Sequence, residues 1–366
     1  MSVKSFQNLI KEVHEKGICQ ECGGCVSFCS SVDYNVIGFK EPYSPPEYIN
    51  KDACLECGIC YYLCPQTHIL DDELNKTYKF IDFKSMPLGY FEDIYSCQST
   101  DPDFLKYGTD GGVVNSIINY MLEKKLIDGA IVAKIQGPFS KEAMFAGDKK
   151  DLIKGSGTKL EISTQLDEIQ NFCTYTRSIP ELNRYKFKKL AIVGTPCQIY
   201  TIRCMQNLGV TPSEYIEICL GLFCYHNFLF DKAQIEKFEK DFDVKFEDIT
   251  KINIKEDLIL KIGTDGRVVH IPFDKIVDYV RPACFSCADF TNVYSDISFG
   301  GLGSPDKYTT VIPRTEKGRK LFHKVLDDQL IKKLVLDAPE KSKMKERITK
   351  FSHSKMEREL SFVKNL

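Results

Sequence analysis

Hydrophobic and polar positions fall into two textures along this chain. Up to about residue 106 the apolar runs are short and are broken by cysteines and polar residues. From about 107 they lengthen into blocks punctuated by glycines. VVNSIINYMLEKK (113–125) sets Val113, Ile117, Tyr120 and Met121 at helical spacing, which predicts an amphipathic helix. GAIVAKI (129–135), LAIVG (190–194) and YIEICLGLFC (215–224) are largely apolar runs of strand length, as expected of buried strands. Helices are expected at 198–207 and near 229–242. LILKI (258–262) and RVVHIPF (267–273) flank GTDG and predict a β-hairpin. DISFGG (296–301) reads as a strand ended by glycines. Residues 2–16 predict a short amphipathic helix, and the chain after about 315 reads as charged and helical. Strands alternating with helices predict an α/β (α+β) fold for the larger part.

Composition changes this picture in one respect. The chain has 366 residues, which suggests two to three domains, and 16 of them are cysteine. Eight cysteines crowd between Cys19 and Cys64, a stretch too small to bury a large apolar core, so something else must hold it together. Lys+Arg is 49 and Asp+Glu 51, so no basic surplus points to nucleic acid. No apolar run approaches the ~18 residues of a membrane span. The first residues, MSVKSFQNLIKEVHEKG, carry acidic groups and no secretory apolar run. The expected location is therefore the cytoplasm, where many cysteines more often mean metal or redox work than disulfides. Neither G-x-G-x-x-G nor G-x-x-x-x-G-K-[ST] occurs, so a nicotinamide Rossmann or P-loop reading lacks its fingerprint.

The two cysteine runs are CQECGGCVSFC (Cys19, Cys22, Cys25, Cys29) and CLECGICYYLCP (Cys54, Cys57, Cys60, Cys64). Both have the spacing C-x2-C-x2-C-x3-C of bacterial two-cluster ferredoxins. A tight loop lets three thiolates wrap one cubane, while the fourth reaches the other cluster. Cys19, Cys22, Cys25 and Cys64 are thus expected to bind one [4Fe-4S] cluster, and Cys54, Cys57, Cys60 and Cys29 the second. Gly23, Gly24 and Gly58 permit close backbone approach to the clusters. Structural zinc is the competing reading, but zinc favours paired knuckles separated by a longer loop. A ferredoxin alone would stop near residue 70, so this wire is attached to a larger partner domain.

Further on, Cys197 stands in VGTPCQ, Cys224 in GLFC, and Cys284 and Cys287 in RPACFSC. Strand ends feeding loops are where α/β proteins build sites. Four thiolates from three segments could hold a third cluster, or could be ordinary buried core residues.

YGTDGGVVNSIINYMLEKKLIDGAIV (107–132), VGTPCQIYTIR (193–203), GLFCYHNF (221–228) and RPACFSCADFTNVYSDISFGGLGSPDKYTTVIPRT (281–315) resemble the family of coenzyme F420 hydrogenase/dehydrogenase beta subunits. Family members with an added N-terminal double ferredoxin include the F420H2 dehydrogenase input subunit of methanogens and the N-terminal half of F420-dependent sulfite reductase. The resemblance implies a mixed-sheet flavin-binding domain, FAD as cofactor, and a third [4Fe-4S] cluster on Cys197, Cys224, Cys284 and Cys287. It leaves Cys97, Cys173, Cys204 and Cys219 as core or spare thiols. It places flavin contacts at Gly108, Thr109, Asp110, Gly111 and Gly112, whose amides precede a helix, and at Gly157, Thr158 and Lys159. Asn115 and Arg203 are further candidates, and GGLGSP (300–305) is expected either to close over the flavin ring or simply to end a strand. Lys154, Lys159, Arg203 and Lys307 are candidates to meet the anionic tail of the coenzyme.

The implied reaction takes a hydride from reduced F420, a two-electron carrier, to FAD. Single electrons then pass through three [4Fe-4S] clusters to a redox protein partner or ferredoxin, in either direction. Hydride transfer demands no side-chain acid or base; His226 stands beside a cluster-bearing segment, with a solvated or core role as its default. The expected domains are a double-cluster module (1–75), a linker (76–106), the F420/FAD-binding domain (107–315) and a charged helical extension (316–366). The alternatives are a ferredoxin-dependent reductase of another organic substrate on the same fold, as in hydroxymethyl-chlorophyll reductases, and a non-catalytic electron-transfer subunit. Peripheral docking to a membrane complex, a homo- or hetero-oligomer and an anaerobic host are all compatible with this reading.

Overall fold

The apolar runs of the larger part become neighbouring strands. The structure is a computed structural model that describes residues 3–31, 34–40, 44–137, 140–157, 188–228, 230, 232–263 and 266–366. A short ladder joins β1 (Ile37–Gly38) and β2 (Glu47–Tyr48) in the cysteine-rich segment. The large sheet is built from β3 (Tyr95–Ser99), β4 (Gly129–Gly137), β5 (Ser140–Ala146), β6 (Leu190–Gly194) and β7 (Ile216–Leu222). A separate antiparallel sheet holds β8 (Ile249–Ile254), β9 (Leu258–Ile262) and β10 (Arg267–Ile271). The large sheet is completed by β11 (Ile297–Gly300), β12 (Thr309–Pro313) and β13 (Ile331–Lys333). Among the described residues it has eight strands in the order β13-β3-β12-β11-β7-β6-β4-β5. β4, β6, β7 and β11 run parallel at its centre, and the flanking pairs are antiparallel.

The central strands are mostly apolar because both faces are covered. Ala191, Val193, Ile218 and Leu220 point to one core, with the helices α3 (Val113–Glu123) and α6 (Glu316–Asp327) over it. Ile192, Ile216 and Cys219 point to the other, covered by α4 (Pro196–Leu208) and α2 (Asp71–Tyr78). The β8–β10 sheet has its own core with α5 (Lys232–Phe242), centred on Phe230, Phe238, Leu260 and Tyr279.

The cysteine-rich segment packs its own small core from Phe6, Leu9, Val13, Val26 and Tyr61. Its helix α1 (Gly24–Ser31) lies directly on α4. A Cβ on Gly24 would come within 2.0 Å of Thr201 Cγ2, so this contact requires glycine.

Two of the expected spans carry regular structure. The span 76–106, expected as a linker, contains β3 and a short helix, Pro102–Tyr107. β3 is a polar strand, YSCQS, in which Gln98 donates to the Lys307 carbonyl (2.8 Å) and Ser99 pairs with Ser116 (2.6 Å). The expected extension 316–366 is part of the body. It supplies α6, β13 and the long helix α7 (Ala338–Val363). Met344, Ile348, Ser352 and Lys355 are buried along one face of α7, a stripe hidden in the sequence by the surrounding charges.

Candidate functional site

The parallel strands deliver their C-terminal ends to one place, as open α/β sheets do. β6 ends at Gly194 and leads through Thr195 into α4, β7 ends at Leu222 and leads to Cys224, and β11 ends at Gly300. These ends border a cleft of about 250 Å³. Gly108, Thr109, Asp110, Gly112, Asn115 and Gly157 line it, together with Thr195, Phe223, Cys224, His226 and Gly300–Leu302.

The glycine loop meets the cleft through the start of α3. Gly112 is the cap residue, with φ +67°, no side-chain capping bond is made there, and the first turn has no acidic residue. First-turn amides left without intrahelical partners favour an anion or carbonyl ligand. Asn115 bridges to the second glycine segment, its Nδ2 donating to Ser156 Oγ (2.5 Å). Burial raises the Asp110 carboxyl to about 6, with Lys255 and Lys251 pulling it back down.

Not every expected contact reaches the cleft. Gly111 turns its amide to Thr309 Oγ1 (2.9 Å), where a Cβ would meet the Cys97 carbonyl at 2.4 Å; its role is packing. Arg203 is buried away from the cleft. Its guanidinium pairs with Asp296 (2.9 Å) and donates to the Tyr294 carbonyl and Gln206, so it stitches α4 to the turn that leads into β11. Lys154 is taken by Asp151 (2.8 Å) on its own helix. The Lys307 side chain is not among the cleft-lining groups; its carbonyl holds Gln98. Thr158, Lys159 and Cys173 lie outside the described residues.

Three sets of cysteines are expected as ligands, and members of each shift one another's thiols. Burial pushes the Cys19 thiol well up, and Cys64 and Cys22 push it further. Cys25 is raised in the same way by burial and then by Cys22, Cys19, Cys60 and Cys64. Cys60 is pushed up to about 12 by burial, Cys57 and Cys54, and Cys29 is raised by burial with Cys54 and Cys57 beside it. In the large domain, burial raises Cys197 with Cys22, Cys287 and Cys224 nearby, and lifts Cys224 to about 12 with Cys284 and Cys287 nearby. Among the described residues, no group of His, Cys, Asp or Glu side chains converges as ligands of a single ion would. A cubane instead takes one thiolate at each corner, and buried thiols that raise one another ionise only against a bound cation. The donor set is therefore of the right chemistry for clusters. Sulfur-directed donors are also in place: the Glu21 amide reaches Cys19 Sγ (3.4 Å) and the Asn227 amide reaches Cys284 Sγ (3.3 Å). Cys97, Cys204 and Cys219 are fully buried core thiols.

Two contacts join the first set to the third. Cys22 Sγ lies 3.3 Å from Thr201 Oγ1, which donates to the Cys197 carbonyl (2.9 Å). Glu21 and Arg281 form a buried ion pair at 2.9 Å, and Arg281 also donates to the Gln20 carbonyl.

Two contributions to the site go beyond the sequence reading, in which His226 has a solvated or core role by default. His226 is buried and lines the cleft; Arg358 Nη1 donates to its Nδ1 (3.2 Å), which leaves the ring proton on Nε2. That Nε2 is buried with no partner. Burial, with Arg358 and Lys355 close by, holds the imidazole well below its usual range, so it is neutral. The other contribution is α7 itself, which carries Lys355 and Arg358. Their single charges in a charged helix give no periodic signal.

Comparison with known proteins places this architecture. Residues 94–170 match the N-terminal domain of coenzyme F420 hydrogenase/dehydrogenase beta subunits, and 187–338 match their C-terminal domain. The chain belongs to this family of F420 hydrogenase/dehydrogenase beta subunits. A component of the F(420)H(2) dehydrogenase of Methanosarcina mazei is 27% identical over 329 residues, covering 88% of this chain and 86% of that protein. The coenzyme F420-dependent sulfite reductase of Methanocaldococcus jannaschii is 30% identical over 332 residues, 86% of this chain but 47% of the reductase. A chain in a structure of the F420-reducing [NiFe] hydrogenase complex from Methanosarcina barkeri superposes with a TM-score of 0.61 at 27% identity, covering 73% of this chain and 92% of its own. Among the described residues no helix is long and apolar enough to cross a membrane.

Proposed function

We propose that this protein is an F420-linked iron–sulfur flavoprotein that exchanges electrons between coenzyme F420 and a redox protein partner or ferredoxin. One observation carries the reading: a single cleft is lined by the glycine loop and the open start of α3 together with Cys224 and Thr195. A flavin bound there supplies the conversion between a two-electron hydride carrier and one-electron clusters. The residues that would hold it are Gly108, Thr109, Asp110, Gly112, Asn115 and Gly157, with Gly300 and Gly301 also lining the cleft. Cys197, Cys224, Cys284 and Cys287 would hold the adjacent cluster. Cys19, Cys22, Cys25 and Cys64 would hold the next, within reach through Thr201. Cys29, Cys54, Cys57 and Cys60 would hold the last, and Cys57 is exposed, where an external partner can approach.

The cleft is also lined with aromatic side chains. Phe223, Phe273, Phe290, Phe299 and Phe351 surround the polar groups with apolar surface. Family membership and relatives named for F420 chemistry support the choice of F420 over another organic substrate.

Anaerobically purified protein should contain about twelve irons and one flavin. It should oxidise reduced F420 when given a one-electron dye. Cys197→Ser should remove about four irons and leave about eight. A flavin-free protein without F420 turnover defeats the reading.

A further inference from the structure

Helix α7 lies beyond the 187–338 match for all but its first residue, so nothing in the family assignment explains it. Its inner face nonetheless reaches the cysteine ligands. Lys355 is 1% exposed, and its Nζ donates to the carbonyls of Cys224 (2.7 Å) and Asp289 (2.7 Å). One turn on, Arg358 Nη2 donates to the carbonyls of Tyr225 (2.8 Å) and Cys284 (3.3 Å), and its guanidinium packs on the Tyr225 and Phe285 rings.

Neither cation has a carboxylate partner at ion-pair distance among the described residues. Asp289, the nearest acid to Lys355, turns its carboxylate to the amides of Asn292 (2.7 Å) and Val293 (3.0 Å). Burying a charge without a counter-charge is costly, and carbonyl dipoles offset only part of that cost. A cubane held by four thiolates is a net anion and gains one more negative charge on reduction. It is the counter-ion these two side chains lack.

We propose that Lys355 and Arg358 are the counter-cations of the cluster held by Cys197, Cys224, Cys284 and Cys287, and that they raise its reduction potential. The proposal rests on the reading that these four cysteines hold a cluster. The two residues act as positioning and electrostatic groups: each grips a ligand segment by its carbonyl and brings a positive charge beside the thiolates. A fixed cation favours the more negative, reduced cluster.

The test is an EPR-monitored redox titration of the full-length protein, with iron content measured on the same samples. The variants are Lys355→Met, Lys355→Arg and Arg358→Gln. In Lys355→Met one of the three midpoints should move negative by at least tenfold in the reduced-to-oxidised ratio, about 59 mV for one electron. The other two should stay in place. Arg358→Gln should move the same midpoint in the same direction, and Lys355→Arg should keep it near the wild-type value. If Lys355→Met loses the cluster, recovery of the iron in Lys355→Arg supports the proposal. Loss in both, with unchanged midpoints in Arg358→Gln, overturns it. Unchanged midpoints in all variants at about twelve irons also overturn it. Wild-type protein holding only about eight irons defeats the parent reading instead.

Discussion

Thr201 Oγ1 stands 3.3 Å from the Cys22 sulfur while donating its one proton to the Cys197 carbonyl. A single hydroxyl therefore spans two cysteine sets that are far apart in sequence. Once Cys22 is a thiolate, the same proton can turn to the sulfur, and a hydrogen bond to a ligand sulfur raises a cluster's potential. Thr201→Val keeps the shape and removes the hydroxyl. Its expected effect is a more negative midpoint for one cluster at unchanged iron content, read by EPR redox titration. An unchanged midpoint would mean that the hydroxyl serves α4 alone.

The Glu21–Arg281 pair closes the seam between the cysteine-rich segment and the large domain. Both side chains are under 10% exposed, so removing one leaves an unpaired buried charge. That costs about 3–5 kcal/mol. Arg281→Leu should lower the anaerobic thermal midpoint well below wild type. The double variant Glu21→Leu/Arg281→Leu should recover much of the loss, because it leaves no orphan charge. Additive losses in the double variant would contradict this account.

Asp110 gives the molecule a pH-dependent term. Its folded-state value of about 6 lies above the ordinary 3.8, so the native state holds the proton more tightly than the unfolded chain does. That contribution is complete below about 3.8 and is lost as pH rises through about 6. Asp110→Asn cannot ionise. It should unfold at a higher temperature than wild type at pH 8, with the gap closing toward pH 4. The ceiling is about 3 kcal/mol. A gap of equal size at both pH values would rule out this origin.

His226 offers a neutral N–H donor at the cleft wall. Phenylalanine in its place would keep the ring contacts with Phe228 and Phe273 but lose Nε2. His226→Phe should weaken flavin binding by about tenfold, the scale of one hydrogen bond, in a fluorescence titration. Unchanged affinity would leave the imidazole as a packing group.

Much of this architecture is legible in the residues, for identifiable reasons. β4, β6 and β7 are apolar because they are buried on both faces, and the same burial makes them visible. The hairpin β9–β10 carries its own turn residues between strands of matching length. β3 is hidden because Ser and Gln break its apolar pattern, and the partners of Gln98 and Ser99 are brought to it only by the fold. Arg203 looks like a free cation in the sequence, yet its partner Asp296 is 93 positions away and only the fold brings them together. Lys355 and Arg358 are two cations among many on a charged helix. Only the placement of the Cys224 and Cys284 carbonyls singles them out.

The strand order has a consequence for how the molecule is assembled. β3 sits between β12 and β13, with Cys97 opposite both Thr309 and Lys333. Its ladder partners are synthesised roughly 200 residues later, so this edge of the sheet is a long-range closure that forms slowly. The local unit β6–α4–β7 can organise first, with β3 docking last. Until β12 and β13 arrive, β3 presents open amides and carbonyls that invite pairing with other chains. A nascent chain stalled before Thr309 is thus the aggregation-prone species, and chaperone occupancy should concentrate there.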